Sequence, residues 1–318
     1  MTTAIFRYLD PATIALGQKP WAKVDTDAAT SYGRTERRRS VTNIRDVLSG
    51  GNPTPGFASD IDVAGFAVYS HSPAKETQFT DHAAVLDGYY AEVESLLREK
   101  LPGKVRKVVI FDHTIRRHDP SSPRQPVQQV HVDQTPAAAA ARVRRHVAPA
   151  DEADNLLKGR YQLINVWRPI GHPATDFPLA VVDWRTTSPE DLIAVDLLYP
   201  LLGGAAEKEK QQQREEIDYR GKEKLPDPES VKSTAGYEVK GETYGVVPNE
   251  NHKMYYVKDM GVDEVMFIKC FDSWGDGKEG GKKGVAALTP HTAFIDPATP
   301  AGTPGRQSIE VRCLVFYE

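Results

Sequence analysis

Cysteine is scarce in this chain of 318 residues, which contains only Cys270 and Cys313. Each lies inside an apolar run that is typical of a buried strand, and two isolated thiols do not make the disulfide framework of a small secreted domain. No stretch approaches the roughly 18 consecutive apolar residues of a membrane-spanning helix. The first residues do not show the basic-then-apolar pattern of a signal sequence. We therefore predict a cytoplasmic protein with two free, buried thiols.

Several common functional signatures are also absent. The sequence has no Cys/His pattern for zinc, no glycine-rich loop that leads into a helix and could hold phosphate, and no Gly-x-Ser-x-Gly motif. Its 40 basic and 44 acidic residues give a formal net charge of −4. That balance favours neither nucleic acid nor an anionic membrane as a partner.

The apolar stretches are short, and 24 glycines and 23 prolines interrupt them often. Helical spacing predicts helices at 81–100, at 136–145 after the N-cap Thr135, at 151–157 and at 188–198. Alternating or β-branched runs predict strands. These lie at 63–69, 105–116, 127–133, 161–167, 179–184, 242–247, 252–257, 264–271, 285–288, 291–295 and 308–317. So many short strands predict a mainly β fold with flanking helices, around a double-stranded β-helix (jelly-roll) core.

The predicted strands of this core are spread over most of the chain, which favours one catalytic domain over two. We interpret residues 61–318 as that single domain, with a charged insertion near 205–230. We interpret residues 1–60 as an N-terminal arm that packs on the core and has little regular structure apart from one short strand near residues 4–8.

The strand at 127–133 ends in His131-Val-Asp133, directly before the Thr-Pro helix start. Residues two apart on a strand point to the same face, so one imidazole and one carboxylate can reach the same point. A second histidine would complete a 2-His-1-carboxylate triad, the iron site of non-haem Fe(II) oxygenases. The structural alternatives are a hydrogen-bonded strand histidine at 131 and a helix-capping carboxylate at 133.

His291, which opens a strand in the last third of the chain, is the candidate for this third ligand. Its alternative is an ordinary turn histidine after a proline. His113 and His118, which stand beside Asp112 and Asp119, are competing ligands. However, His118 lies in a loop, and the phase of His113 is typical of a residue inside a strand.

Arg306 and Ser308 share one strand face after His291. A guanidinium beside a hydroxyl can bind the far carboxylate of 2-oxoglutarate, whose other end chelates Fe(II). Arg312 has the same parity and is an alternative carboxylate partner, although Glu310 is close enough in sequence to neutralise it. A surface arginine is the alternative interpretation of Arg306.

Six sequence blocks together resemble a known family. They are 130–135 (VHVDQT), 165–169 (NVWRP), 255–260 (YYVKDM), 267–273 (FIKCFDS), 290–294 (PHTAF) and 306–312 (RQSIEVR). The sequence resembles the Fe(II)/2-oxoglutarate-dependent hydroxylases and desaturases of fungal and bacterial secondary metabolism, a group that includes gibberellin desaturase. The resemblance covers roughly residues 60–318.

The resemblance implies Fe(II) bound by His131, Asp133 and His291, and 2-oxoglutarate held by Arg306 and Ser308. The spacing from His291 to Arg306 is longer than in the better-known plant dioxygenases, which leaves Arg312 as an alternative.

The resemblance also implies that Asn165, Trp167 and Arg168 form part of the site wall, although ordinary structural pairing explains them equally well. The implied substrates are O2 and a small terpenoid, polyketide or peptide-derived metabolite, which is hydroxylated or desaturated. Two alternatives remain open. One is an Fe(II) oxidase or oxygenase that does not use 2-oxoglutarate, and the other is a non-catalytic jelly-roll binding protein.

Overall fold

A computed structural model of the protein describes residues 1–24, 29–50, 53–122, 124–201 and 233–318. The predicted charged insertion near 205–230 lies outside these described residues. Within them the chain forms two β-sheets, of nine and five strands, and six α-helices. In this part of the chain no helix is long and apolar enough to cross a membrane.

The strands of the nine-stranded sheet come from the whole length of the chain. They are β1 (Thr2–Leu9), β2 (Trp21–Lys23), β3 (Arg34–Asn43), β6 (His131–Val132), β8 (Leu179–Val182), β9 (Leu192–Pro200), β10 (Tyr237–Val246), β11 (Met254–Tyr256) and β13 (His291–Ala293). Their order is β1-β3-β11-β8-β13-β6-β10-β9-β2. The edge strand β1 nevertheless meets the chain just before β6, where the Val130 amide donates to the Arg7 carbonyl at 2.8 Å. The sheet is therefore strongly curled.

The five-stranded sheet has the order β4-β12-β7-β14-β5. Its strands are β4 (Phe66–Tyr69), β5 (Val105–Arg117), β7 (Tyr161–Pro169), β12 (Val265–Asp272) and β14 (Gln307–Tyr317). β7, β12 and β14 are buried along most of their length, as expected of strands covered on both faces.

The helices lie around the sheets. They are α1 (Ile44–Ser49), α2 (Ile61–Ala64), α3 (His82–Ala84), α4 (Tyr90–Lys100), α5 (Pro136–His146) and α6 (Ala150–Leu156), with a π-helical turn between α3 and α4. Val93 and Leu97 of α4 pack with Val311 and Val315 on one face of the five-stranded sheet. The predicted N-cap is present, because the Thr135 hydroxyl accepts the Ala138 amide at 3.1 Å.

The opposite face of the five-stranded sheet packs against the nine-stranded sheet. Trp167 and Met266 of the smaller sheet lie in one buried cluster with Leu179 and Val181 of β8. Alternate residues of β7 and β14 therefore point into the space between the sheets. Asn165 and Arg312 have this parity, and they are directly opposite each other across the β7–β14 ladder.

The mainly β composition is confirmed, but several local predictions are wrong. The first 60 residues contain the short strand predicted near residues 4–8, which is β1, but they are not otherwise poor in regular structure, since they also supply β2, β3 and α1. The helix at 188–198 is instead a 3₁₀ turn, Pro189–Asp191, followed by strand β9. No strand forms at 285–288, and the strand predicted at 63–69 begins only at Phe66, after α2.

Candidate metal centre

Sheet order brings together the three residues selected as metal ligands. β13 lies beside β6, and His291 is the direct antiparallel partner of His131. Asp133 follows β6 by one residue and keeps the parity of His131. One ligand atom from each of the three residues lies within 4.8 Å of the others. Two sequence-distant segments thus meet at one point inside the curled sheet.

Backbone carbonyls orient both imidazoles. His131 Nδ1 is 2.7 Å from the Gln129 carbonyl oxygen, and His291 Nδ1 is 3.1 Å from the Thr289 carbonyl oxygen. Since a carbonyl can only accept, each Nδ1 carries the proton and each Nε2 presents its lone pair. The two Nε2 atoms lie 3.4 and 4.0 Å from Asp133 Oδ1. This outer-shell pattern is typical of metal-binding histidines.

The electrostatics of the site favour an ionised Asp133 and a neutral His291, whereas the pKa of His131 is raised, because its contact with Asp133 outweighs the effect of burial. Burial, together with the neighbouring His131, lowers the pKa of His291 to about 4. Burial alone would raise the pKa of Asp133, but the charge of Arg312 and the contact with His131 hold it well below its usual range. An anionic carboxylate beside neutral imidazoles is the state that binds a metal cation.

Arg312 contacts the centre through Asp133. Its Nε donates to Asp133 Oδ2 at 3.1 Å, and the Asn165 side-chain amide donates to the same oxygen at 2.8 Å. The rest of the guanidinium binds Asp112 Oδ1 at 3.0 Å and Glu310 Oε1 at 3.1 Å. Arg312 is therefore neutralised by side chains of the protein itself.

Arg306 has different surroundings. It is only 2% exposed, and its Nη1 donates to the Phe177 carbonyl oxygen at 2.6 Å. Its Nε is buried without a hydrogen-bond partner, and no carboxylate of the described residues forms an ion pair with its side chain. Burial and the charge of Arg116 lower the pKa of Arg306 to about 9. A buried cation without a counter-anion is a fitting partner for a bound carboxylate.

The other predicted residues divide between the two faces of their strands. Ser308 is buried on the same face as Arg306, and the Trp167 ring lies 5.6 Å from the Arg306 guanidinium carbon. Arg168 has the opposite parity on β7 and donates to the Ser72 carbonyl oxygen at 2.8 Å. The structure therefore brings Asn165 to the metal ligands and Trp167 to Arg306, but it does not bring Arg168 to either.

A cavity of about 1070 Å³ opens beside the centre. His131, Asp133 and Arg312 lie in its wall, together with Thr114 and Arg116 of β5. The last two were not selected from the sequence. Alternation along β5 gives their shared face, but only the pairing of Arg116 with Ser308 across the β5–β14 ladder places that face beside the site.

The competing histidines lie apart from the three ligands. His113 is buried, with its Nδ1 2.8 Å from the Tyr90 hydroxyl, as expected of a structural strand residue. His118 contacts Asp176 at 2.5 Å in a loop. Among the described residues, only His131, Asp133 and His291 form a group with metal-ligand geometry.

Known proteins share this sequence pattern. Residues 6–316 match the family model described as oxidoreductase/YMDC permease-like domain. The chain is 34% identical to aspirochlorine biosynthesis protein N of Aspergillus oryzae over 58% of this chain and 59% of that protein. It is 32% identical to the hydroxylase/desaturase poxK of Penicillium oxalicum, over 76% of this chain and 69% of poxK. It is 31% identical to the Fe(II)/2-oxoglutarate-dependent dioxygenase nvfI of Aspergillus novofumigatus, over 74% and 69% of the two chains. The matches thus span about 59–69% of the length of these relatives.

A solved structure of the iron and alpha-ketoglutarate-dependent endoperoxidase NvfI has the same fold. It superposes with a TM-score of 0.70 at 25% identity, covering 99% of this chain and 97% of that one. This likeness confirms the predicted jelly-roll class and defines the protein as an Fe(II)/2-oxoglutarate-dependent oxygenase. With the sequence matches, it shows that the chain belongs to the family of Fe(II)/2-oxoglutarate-dependent hydroxylases and desaturases. Fe(II) and 2-oxoglutarate are the cofactors of this class.

Proposed function

We propose that the enzyme binds Fe(II) through His131, Asp133 and His291, and that it hydroxylates or desaturates a C–H bond of a small secondary metabolite. The observation that carries this proposal is the convergence of two Nε2 atoms and one carboxylate oxygen from β6 and β13. Two imidazoles and one carboxylate with further open positions suit a non-haem Fe(II) oxygenase. With both cofactors bound, such a centre couples the conversion of 2-oxoglutarate and O2 to succinate and CO2 with hydroxylation or desaturation of the substrate.

In this proposal Arg306 binds the far carboxylate of 2-oxoglutarate, with the Ser308 hydroxyl as a second donor. Two observations support Arg306 over Arg312. The Arg306 Nε has no partner, whereas Arg312 already contacts Asp133, Asp112 and Glu310. A second anion would find little uncompensated charge at Arg312, but it would relieve the desolvation of Arg306.

The cavity beside the centre is the proposed substrate site. Its volume of about 1070 Å³ suits a small organic molecule better than a polymer, because ligand pockets are roughly 300–1,000 Å³. Aspirochlorine biosynthesis protein N carries a secondary metabolite in its name, which supports that substrate class. Asn165 and Trp167 fit positions beside the cofactors, while Arg168 fits a structural role. Cys270 and Cys313 are free and buried, in keeping with a cytoplasmic location.

An anaerobic titration of the metal-free protein with Fe(II) and 2-oxoglutarate tests this proposal. We expect the visible charge-transfer absorption of a keto acid chelated to Fe(II). Asp133→Ala should abolish it, whereas Asp119→Ala, in an exposed loop, should leave it unchanged. Arg306→Ala should keep Fe(II) binding but require far more 2-oxoglutarate.

Each part of the proposal fails on a different result. Undiminished metal binding by Asp133→Ala would exclude the proposed ligands. An unchanged requirement for 2-oxoglutarate in Arg306→Ala, together with weaker 2-oxoglutarate binding but intact Fe(II) binding in Arg312→Ala, would transfer the anchoring role to Arg312. The assigned reaction would be contradicted if the enzyme forms succinate but does not oxidise any of the hydroxylase or desaturase substrates tested.

A further inference from the structure

The two oxygens of the Asp133 carboxylate have different surroundings. Oδ1 faces the Nε2 atoms of His131 and His291 at 3.4 and 4.0 Å. Oδ2 faces the opposite sheet, where it accepts hydrogen bonds from Asn165 at 2.8 Å and Arg312 at 3.1 Å. One oxygen is thus directed to the metal position and the other is occupied by two donors.

These two donors belong together in the fold. Asn165 on β7 and Arg312 on β14 are direct partners in the five-stranded sheet, whereas His131 and His291 come from the nine-stranded sheet. Asn165 is 1% exposed, which leaves its amide no solvent to bind. Two side chains of the five-stranded sheet therefore cross the space between the sheets and bind the Asp133 carboxylate, which follows β6 of the nine-stranded sheet.

The Arg312 guanidinium is itself held in place. Its Nη1 donates to Asp112 Oδ1 at 3.0 Å and Thr114 Oγ1 at 3.2 Å, and its Nη2 lies 3.1 Å from Glu310 Oε1. The planar fork of arginine loses little further freedom when several partners fix its orientation. The donor to Asp133 is therefore preorganised, and a lysine could not reproduce this geometry.

We propose that Arg312 and Asn165 are positioning residues that restrict Asp133 to one metal-binding oxygen. This inference rests on the proposed Fe(II) site. A carboxylate that bound through both oxygens would occupy one more coordination position. The site needs its open positions for the two oxygens of 2-oxoglutarate and for O2. Donors fixed on Oδ2 oppose that second bond and set the direction of Oδ1. Outer-shell partners of this kind typically affect metal affinity 10- to 100-fold.

Cobalt(II) binding to the metal-free protein tests the inference without turnover, because the visible Co(II) spectrum depends on coordination number and geometry. The variants are Asn165→Leu, which removes the neutral donor, and Arg312→Lys, which keeps the charge but loses the fork. We expect both to weaken Co(II) binding by about 10- to 100-fold and to alter the absorption spectrum. Asn165→Gln, which retains an amide, should recover part of the affinity in the Asn165 series.

Arg160→Lys is the matched control. Arg160 is another buried arginine that binds two carboxylates, Asp62 and Asp272, at 2.7 Å each. Its carboxylate partners also bind Gln162 and Lys269, and neither of them is a metal ligand. Its substitution should lower stability while leaving the Co(II) affinity and spectrum unchanged. Circular dichroism of each metal-free variant establishes that it is folded, and if Arg312→Lys does not fold, the comparison of Asn165→Leu with Asn165→Gln decides the question.

The result also separates this inference from the proposed metal site. If wild-type protein binds Co(II) and Asp133→Ala does not, the metal site holds. Wild-type affinity and spectra in folded Asn165→Leu and Arg312→Lys would then overturn the positioning role alone. Equal Co(II) binding by wild type and Asp133→Ala would overturn the metal site itself, and the positioning role with it.

Discussion

Replacement of Arg306 by methionine should stabilise the protein without cofactors and weaken its binding of 2-oxoglutarate. Both effects have one cause, which is a cation buried without a counter-anion. Burial and the neighbouring Arg116 lower the pKa of Arg306 from 12.5 to about 9. That lowering of roughly 3.5 pH units, at about 1.4 kcal/mol per unit, disfavours the buried cation by about 5 kcal/mol.

The net gain in stability is smaller, because the substitution also removes a hydrogen bond. Loss of the contact with the Phe177 carbonyl costs about 1.5–3 kcal/mol, as for other hydrogen bonds to charged groups. Imperfect packing of the methionine side chain reduces the expected gain in stability further. We therefore expect the free energy of unfolding of metal-free Arg306→Met to rise by about 1–3 kcal/mol, which lies within the gain of up to about 4 kcal/mol for replacing buried ion pairs by apolar residues.

The same change should reduce the affinity for 2-oxoglutarate by about 30-fold to several thousand-fold, because an unpaired buried carboxylate costs about 2–5 kcal/mol and each 1.4 kcal/mol is tenfold. Urea unfolding of the metal-free protein and anaerobic titration with Fe(II) present measure the two quantities. Arg312→Met is the contrasting variant. It leaves Asp133, Asp112 and Glu310 without their shared cation and should destabilise the protein by about 3–5 kcal/mol. An Arg306→Met variant that is less stable than wild type and binds 2-oxoglutarate normally would refute the reasoning.

Three further predictions concern the scaffold. Burial and the charges of Arg142 and Arg145 lower the pKa of His146 to about 4. Below pH 6.5, the usual pKa of histidine, His146 binds a proton in the unfolded chain but not in the folded chain. The stability of the protein therefore falls as the pH decreases from 6.5 towards 4. At pH 5, His146→Gln should remove about 1 kcal/mol of this loss of stability, a value that is reduced for partial exposure of the side chain. His71→Gln, at an exposed position, is the control, and equal pH profiles of unfolding in the two variants would contradict the prediction. Gly65 has φ +91°, and an added Cβ would overlap the Thr289 side chain. Gly65→Ala should therefore lower the free energy of unfolding by roughly 2–3 kcal/mol. It should also weaken metal binding, because the Thr289 carbonyl orients His291. Gly171→Ala, at φ +72° with open space around it, is the control for strain alone, and similar losses in both would exclude the clash. Thr135→Ala should lower the free energy of unfolding by about 1 kcal/mol, because it removes the N-cap of α5. Thr135→Ser keeps the hydroxyl and should restore most of this stability. If it does not, the threonine methyl group, and not the cap, is responsible for the loss.

The local part of the site could be predicted because it depends only on strand periodicity. His131 and Asp133 point the same way although β6 is only two residues long. The approach of His291 could not be derived from that pattern, because it depends on β13 lying beside β6 in a sheet whose neighbours are mostly distant in sequence. The resemblance to a known family supplied that link in advance.

The wrong local predictions have identifiable physical causes. β3 is a run of charged residues, RTERRRSVTN, whose side chains are largely exposed over its first half, so apolar alternation does not reveal it. In β9 the leucines and alanine favour a helix by propensity, but the strand is fixed by its pairing with β10 from Leu192 to Pro200. Tertiary hydrogen bonding outweighs the roughly 1 kcal/mol range of intrinsic preference at such positions.

The distinction between Arg306 and Arg312 illustrates what sequence parity omits. Both arginines have the parity of the inner face, and an Arg fork beside polar residues fits either as a cofactor anchor. Their difference arises from the strand opposite. β5 places Asp112 against Arg312 but the cationic Arg116 against Ser308, next to Arg306. The first arginine is neutralised and bound to Asp133. The side chain of the second is buried beside Arg116 and a carbonyl, and Asp176 binds its backbone amide instead of its guanidinium. Anion binding is therefore expected at the arginine that the fold leaves uncompensated, because only there does the ligand supply a charge that the protein lacks.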